Sequence, residues 1–592
     1  MCGITGWVAY DTDLTQHADV LDAMTDTMSR RGPDASGTWL RPQVGLGHRR
    51  LAVIDLPGGA QPMEANGVTL VYSGEVYNFA ELRRSLGEHN FRTRSDTEVV
   101  LNGYLRWGSA VAERLNGMFA FALWDSREQK LLLVRDRLGI KPLYYQRTSD
   151  GLLFGSEPKS ILANPLSSRV IDRDCLYELF GQTKAPGWSL WKDMHEVPPG
   201  TVLTLSRNGL RSRAYWSLET AEHTDDRDTT IETVRDLLTD TVSRQLVADV
   251  PQCVLLSGGL DSSAITGLAA QALPDLRTFS VDFVGEFQPD ELRSTADSGF
   301  VREVADFVGS KHTNVILDPS ELSDLSLRRA VVSAWDIPLG LGDINTSLYL
   351  LFKAIRAEST VALSGESADE LFGGYPWFHI EATHTFPWLA FSHSINADRT
   401  AVLRKDLGLD LDSYVADQYA SAVASVEFLD DESVSERRMR VVCHLHLTRL
   451  VRALLDRKDR MSMATGLEVR VPFCDHRLVE YVYNAPWSFK HFDGREKSLL
   501  RAAVRHVLPQ SVADRVKSPY PTVQSADYVA SLQAQAADVL SEKDNPVFAL
   551  IDRQWLRAAV GASSVPGSVR QGLERVLDLY HWVDLYRPTL AI

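Results

Sequence analysis

The sequence predicts a chain of mixed α/β and α+β class in two large parts, a sheet-rich amino-terminal half and a carboxyl-terminal half built on a parallel sheet. Three observations predict it. Short apolar runs broken by turn chemistry fill the chain to about residue 210. Beyond residue 230, strand-like and helix-like periods alternate, as they do when crossover helices join parallel strands. At 592 residues the chain is also too long for a single hydrophobic core.

In order along the chain, MFAFALWDSREQKLLLVRD reads as two strands around a polar turn. SLETAEHTDDRDTT, residues 217–230, is polar and acidic without apolar period and reads as an exposed linker. We therefore expect one domain over residues 2–212, a linker over 213–230 and a second domain over 231–592. Ile231, Val234, Leu237, Leu238, Val242 and Leu246 recur at helical spacing. CVLLS, RTFSVDF and STVALSG read as buried strands, and the pattern after Tyr375 is mostly helical except at MATGLEVRVPF.

A net charge of -16 argues against a broad nucleic-acid footprint, which needs clustered Lys and Arg to displace counterions. The five cysteines, at 2, 175, 253, 443 and 474, form no CxxC pair, so neither a disulfide framework nor a zinc ribbon is indicated. No basic segment followed by an apolar one opens the chain, and no apolar run is long enough for a bilayer. These features read as a cytoplasmic protein without membrane or nucleic-acid partners.

The strongest local signal is VLLSGGLDSS. The chain leaves a strand, turns through Ser257, Gly258 and Gly259, and enters a helix whose first turn carries Asp261, Ser262 and Ser263. Such a turn aims backbone N–H groups and a positive dipole end at an anion, and Asp261 adds a ligand for Mg²⁺ bridging phosphate oxygens. An isolated Gly-Gly pair is more often a helix cap, but the whole heptad is more specific. No GK[ST] follows, so this is not a Walker A loop. LSGESADELFGGY sets Glu366, Asp369, Glu370 and Tyr375 beyond another buried strand, where parallel sheets build their ligand crevice. The alternative is a solvated acidic turn. Lys497, in HFDGREKSLLRAAVRHVLP, reads by itself as helix surface.

SGGLDSS resembles the signature of the ATP-pyrophosphatase superfamily, whose members split ATP between its α and β phosphates and attach AMP to a substrate oxygen. MCGITGW, RRGPD, GHRRLAVID, YSGEVYN and RSDTE precede it in order, and together these motifs resemble glutamine-dependent asparagine synthetases of the bacterial type across nearly the whole chain. The resemblance implies an N-terminal-nucleophile αββα glutaminase fused to an ATP-pyrophosphatase domain. Met1 is then removed, and Cys2 supplies thiol and base, since an α-amino group of pKa about 8 accepts the thiol proton near neutrality.

By the same resemblance Arg50 binds the glutamine carboxylate and Asp96 its amino group, with backbone at Leu51, Val53, Gly74 and Glu75 completing the pocket. Leu255, Val281, Ser364 and Gly365 border adenosine; Ser257, Gly258, Gly259, Asp261, Ser262 and Tyr375 belong to the ATP site. Asp261 and Asp369 hold Mg²⁺, Lys497 neutralises the α-phosphate, and Glu366 assists proton removal when ammonia attacks. Glutamine, ATP and aspartate or another small carboxylate are the expected partners, and a homodimer is left open.

Two positions depart from the family pattern. Ser73-Gly74-Glu75 stands where NGE is usual, replacing an oxyanion-stabilising amide by a shorter hydroxyl, a loss worth roughly 10²–10³ in rate. PLGLGDINTSLYL sets Asp343 opposite an Arg thought to bind aspartate. Either aspartate is gripped elsewhere, or the acceptor is a secondary-metabolite or cell-envelope carboxylate. A catalytically silent regulatory homologue is the reading from another class, and retention of Cys2, Asp261, Glu366, Asp369 and Lys497 together argues against it.

Overall fold

The computed structural model describes residues 2–88, 91–285, 287–289, 295–379, 384–395 and 400–592. Met1, whose removal the sequence reading requires, lies outside the described residues. The amino-terminal half holds two six-stranded antiparallel sheets. At the centre of the first, Gly3–Ala9 runs between Val44–Arg50 and Gly151–Gly155, with Gly3 opposite Arg49 and Thr5 opposite Gly155. In the second, Val68–Val76 pairs with Gly117–Asp125, setting Gly74 opposite Phe119. Alternation sends Ile4, Val8 and Leu46 of one sheet and Val71, Ala122 and Leu133 of the other into a shared core. The helix Ala18–Asp26 covers the outer face of the first sheet, and Phe79–Leu86 and Asp96–Trp107 cover the second. This is the αββα sandwich expected from the sequence.

The carboxyl-terminal half is organised by a five-stranded parallel sheet in the order Lys311–Leu317, Arg277–Phe283, Gln252–Leu255, Val361–Leu363, Glu468–Arg470. After Gln252–Leu255 the chain adds two strands on one side, then returns to add two on the other. The order therefore reverses between Gln252–Leu255 and Val361–Leu363, and open α/β sheets bind ligands at such a switch point. SGGLDSS follows the first of these strands and SGESADE the second. The two central strands, Gln252–Leu255 and Val361–Leu363, are largely buried, which explains their apolar composition, since the centre of a parallel sheet is covered on both faces.

The helix over Arg227–Gln245 begins four residues before the expected boundary at 231. Asp226 accepts from the Thr229 N–H at 2.8 Å, an N-cap hidden in the polar run. The last strand, Thr589–Ala591, crosses back to pair in parallel with Val170–Asp172 of the amino-terminal half. Among the described residues, no helix is long and apolar enough to cross a membrane.

Candidate active sites

Cys2 lies at the start of the central strand of the first sheet and is buried. Its carbonyl accepts from Ser73 Oγ at 2.7 Å and Arg31 Nε at 3.3 Å, while its Sγ lies 3.8 Å from the Leu51 carbonyl. Burial pushes the thiol up to about 11, so it rests protonated and needs a base beside it to react. Ser73 thus anchors the backbone of Cys2, and its proton is committed to that carbonyl. Arg50, at the end of the adjacent strand, donates to the Leu56 and Asp55 carbonyls at 2.6 and 2.9 Å, which fixes the fork at the pocket edge.

Asp96 opens the helix Asp96–Trp107, whose N-cap is Ser95. It is buried and accepts from Tyr72 Oη at 2.8 Å and the Val76 N–H at 3.1 Å. Burial raises its carboxyl above the ordinary aspartate value. Leu51 and Val53 are buried in the loop after Val44–Arg50. Glu75 is buried too, and its Oε2 lies 3.9 Å from the Arg470 guanidinium of the other half.

The second site opens at the switch point. Leu255, Ser257, Gly259, Asp261, Ser262, Val281, Ser364, Gly365, Glu366 and Asp369 line one crevice, as the sequence expects. Gly258, in the left-handed region at φ 69°, makes the turn that brings Ser257 Oγ to 2.9 Å from Ser262 Oγ. Lys497 reaches in from the cap of a distant helix, its Nζ 2.6 Å from Asp261 and 2.5 Å from Asp369. A Cβ on Gly374 would stand 2.0 Å from Asp369 Oδ1 and 2.1 Å from Lys497 Cε, so only glycine lets this loop close over the pair.

Two lysines that carry no sequence motif complete the crevice. Lys517 pairs with Asp369, and Lys458 lies 2.8 Å from Glu366. Although burial opposes its charge, Asp369 is held down to about 2 by Lys497 and Lys517. Glu366 is likewise held below the usual glutamate range by Lys458 and Arg457 against the effect of burial. Two carboxylates, Asp261 and Asp369, converge at one point in the crevice and form an oxygen-only set that suits Mg²⁺, which takes one or two carboxylates and completes its shell with phosphate and water.

Two sequence expectations find different surroundings. Tyr375 stands outside the nucleotide crevice: it donates to Glu370 Oε1 at 2.5 Å, stacks on Trp377 and walls an adjoining pocket. Asp343 turns away from both cavities. Its carboxylate pairs with Arg570 at 2.8 Å and accepts from the Val523 N–H at 2.7 Å, locking the last long helix to the segment that carries Lys517. The reversed charge therefore has a partner and lines neither cavity.

Glu574, beside Asp343, accepts from Arg570 Nε at 3.2 Å and Tyr528 Oη at 3.1 Å. Burial and the Asp343 charge push its carboxyl up to about 7. The folded state thus holds this proton more tightly than the unfolded chain. The stability it lends is complete below the ordinary value of 4.5 and is lost as pH rises through about 7. Thermal melts across this window should show E574Q with a flatter pH dependence than the parent; equal slopes would refute the assignment.

The two halves meet through buried charge. Arg31 contacts Glu157 at 2.9 Å and Asp459 at 2.7 Å, Lys141 reaches Asp459 at 3.0 Å, and Arg452 reaches Glu196 at 2.7 Å. Removing one member of such a set leaves an uncompensated charge and costs about 3–5 kcal/mol. Arg470 spans the junction differently. Its side chain pairs with Glu468 at 2.7 Å and faces Glu75, while its carbonyl accepts from the Ser364 N–H at 2.9 Å.

Residues 233–584 match the family model described as asparagine synthase, and residues 1–216 match a glutamine amidotransferase domain. The chain is 40% identical to glutamine-hydrolysing asparagine synthetase 3 of Bacillus subtilis (strain 168), covering 99% of both chains. It is 31% identical to glutamine-hydrolysing asparagine synthetase 1 of the same organism over 88% of this chain and 87% of the relative. It is 29% identical to Amidase chry2 of Gibberella zeae over 88% of each chain. With both domain models matched and one relative similar from end to end, the chain belongs to the asparagine synthase family.

Proposed function

We propose that the protein transfers the amide nitrogen of glutamine to a carboxylic acid through an acyl-adenylate, with ATP converted to AMP and pyrophosphate. The observation that carries this reading is the convergence of Asp261, Asp369 and Lys497 from three separate segments on the switch point, beside a loop suited to phosphate. The glutaminase belongs to residues 2–212 and the synthetase to 231–592, joined by 213–230.

In the first site, the Cys2 thiolate attacks the glutamine carboxamide and ammonia leaves. Water then cleaves the thioester to glutamate. Arg50 holds the substrate carboxylate and Asp96 its ammonium, with the backbone of Leu51, Val53, Gly74 and Glu75 around them. With Ser73 occupied by the Cys2 carbonyl, the Gly74 N–H is the remaining oxyanion donor on that strand.

In the second site, SGGLDSS cradles the phosphates while Leu255, Val281, Ser364 and Gly365 enclose the nucleoside. Asp261 and Asp369 would hold a magnesium ion, which would supply charge neutralisation on ATP. An acceptor carboxylate oxygen attacks the α-phosphorus and pyrophosphate leaves. Lys497 stabilises the charge on the α-phosphate. Ammonia then attacks the acyl carbon, the ionised Glu366 takes up its proton, and AMP departs. Aspartate is the acceptor that the family resemblance suggests, and Asp343, bound to Arg570, presents no obstacle to it.

The test is an acid that supports turnover, labelled with heavy oxygen in its carboxylate. We expect one labelled oxygen in AMP and none in pyrophosphate. ADP with label in orthophosphate would replace adenylation by phosphoryl transfer.

A further inference from the structure

Glu366, the group that takes up the proton of the attacking ammonia, stands on a crowded turn. Three carboxylates, Glu366, Asp369 and Glu370, follow closely on the strand Val361–Leu363. Glu370 is buried, and its Oε1 accepts from Tyr375 Oη at 2.5 Å, but among the described residues no cation lies within ion-pair distance of it. Burial and the charges of Asp369 and Glu366 push its carboxyl up to about 8, so it keeps its proton at neutral pH. Asp369 escapes that state through Lys497 and Lys517. Glu366 escapes it through Lys458, whose Nζ lies 2.8 Å from Oε2, while Arg457 and Lys517 add their charges from farther off.

Lys458 is itself firmly placed. It belongs to the helix Val451–Met463, whose next two residues face the amino-terminal half: Asp459 grips Arg31 and Lys141, and Arg460 grips Glu157. Its ammonium lies 5.8 Å from the centre of the Phe352 ring, a cation–π contact that steadies the end of the side chain. The Lys458 and Glu366 side chains are only 11% and 15% exposed, so water and salt screen the pair weakly. Both residues line the nucleotide crevice and the pocket adjoining it. Glu366 therefore stands at the border of the two spaces, with Lys458 fixing its carboxylate there.

Resting on the amidation reading above, we propose that Lys458 is a positioning residue for Glu366, holding its carboxylate ionised and aimed at the border of the two cavities, and that it serves the amide-forming half of the reaction rather than the adenylating half. In that half the nitrogen of ammonia bonds to the acyl carbon, and the bond from that carbon to the AMP oxygen breaks. The electron pair leaves with AMP, and one proton passes from nitrogen to Glu366. The adenylating half has a cation of its own in Lys497, between Asp261 and Asp369.

The experiment compares the two half-reactions in the whole chain. Exchange of labelled pyrophosphate into ATP reports adenylation, with aspartate as the acid or, if aspartate gives no exchange, the acid used in the oxygen-label test. Amide formation with free ammonia held constant across pH reports the full sequence. We expect K458Q to lower amide formation about tenfold or more beyond its effect on exchange. Its acid limb should also move to higher pH, since Glu366 without its cation keeps its proton longer. K458R, which restores the charge, should return the limb toward that of the parent. In an E366Q background K458Q should cost nothing further, because Lys458 acts through that carboxylate. Should melting show that K458Q does not fold, K458M takes its place in each comparison. Equal loss of exchange and amide formation, an unmoved acid limb, or the same fold-loss with and without Glu366 overturns the proposal and leaves the amidation reading intact. No exchange from the parent protein with any acid, while glutamine is still hydrolysed, removes the amidation reading and this proposal with it.

Discussion

Cys2→Ala protein should lose glutamine-supported amide formation by roughly 10³-fold or more while retaining ammonium-supported AMP release. The thiol at the head of the central strand is the proposed nucleophile, and its neighbours Ser73 and Arg31 contact the backbone carbonyl, which alanine preserves. The change removes a sulfur from a small buried site and leaves the anchoring bonds, so the sandwich should fold. Coupled assays with each nitrogen source measure the two activities separately. If ammonium-supported turnover fell in parallel, the assignment of two independent sites would be wrong.

Lys497→Met should lower AMP release by roughly 10²–10⁴-fold, with a much smaller effect on nucleotide affinity and on glutamine hydrolysis. The ammonium is the common partner of Asp261 and Asp369, and methionine fills similar space without charge. Lys517 still compensates Asp369, so Asp261 is the carboxylate left exposed to the loss. Some loss of stability accompanies this. Nucleotide titration alongside single-turnover AMP formation separates binding from chemistry. Equal loss of affinity and rate would make Lys497 a binding group with no role at the transition state.

Features that depend on local chain geometry were legible in the sequence. The strands CVLLS and RTFSVDF and the turn through Gly258 fall where their composition places them, whereas Asp369, read as part of a loop, lies in the first turn of the short helix Ala368–Phe372. Asp343 was misleading because alignment gives a position along a helix and no direction for the side chain; its partner, Arg570, comes from the last helix. Arg457, Lys458, Asp459 and Arg460 form a charged run that composition assigns to solvent. The structure places it at the junction, with Asp459 on Arg31 and Lys141 and Arg460 on Glu157 and Asp336. Such burial needs both halves folded, so no window of sequence reports it. Trp377 and Arg457 share a pocket through the same long-range packing.

Arg470 carries a mechanical consequence. Its guanidinium faces the glutamine-side Glu75 and its carbonyl pins Ser364 at the nucleotide crevice, so both sites are mounted on one residue of an edge strand. A wide rocking motion between the halves would tear this mount and the buried ion pairs around Asp459 together. Any signal passing between the two sites then travels as small loop displacements within a stiff frame, two chambers braced by the same buried ion pairs.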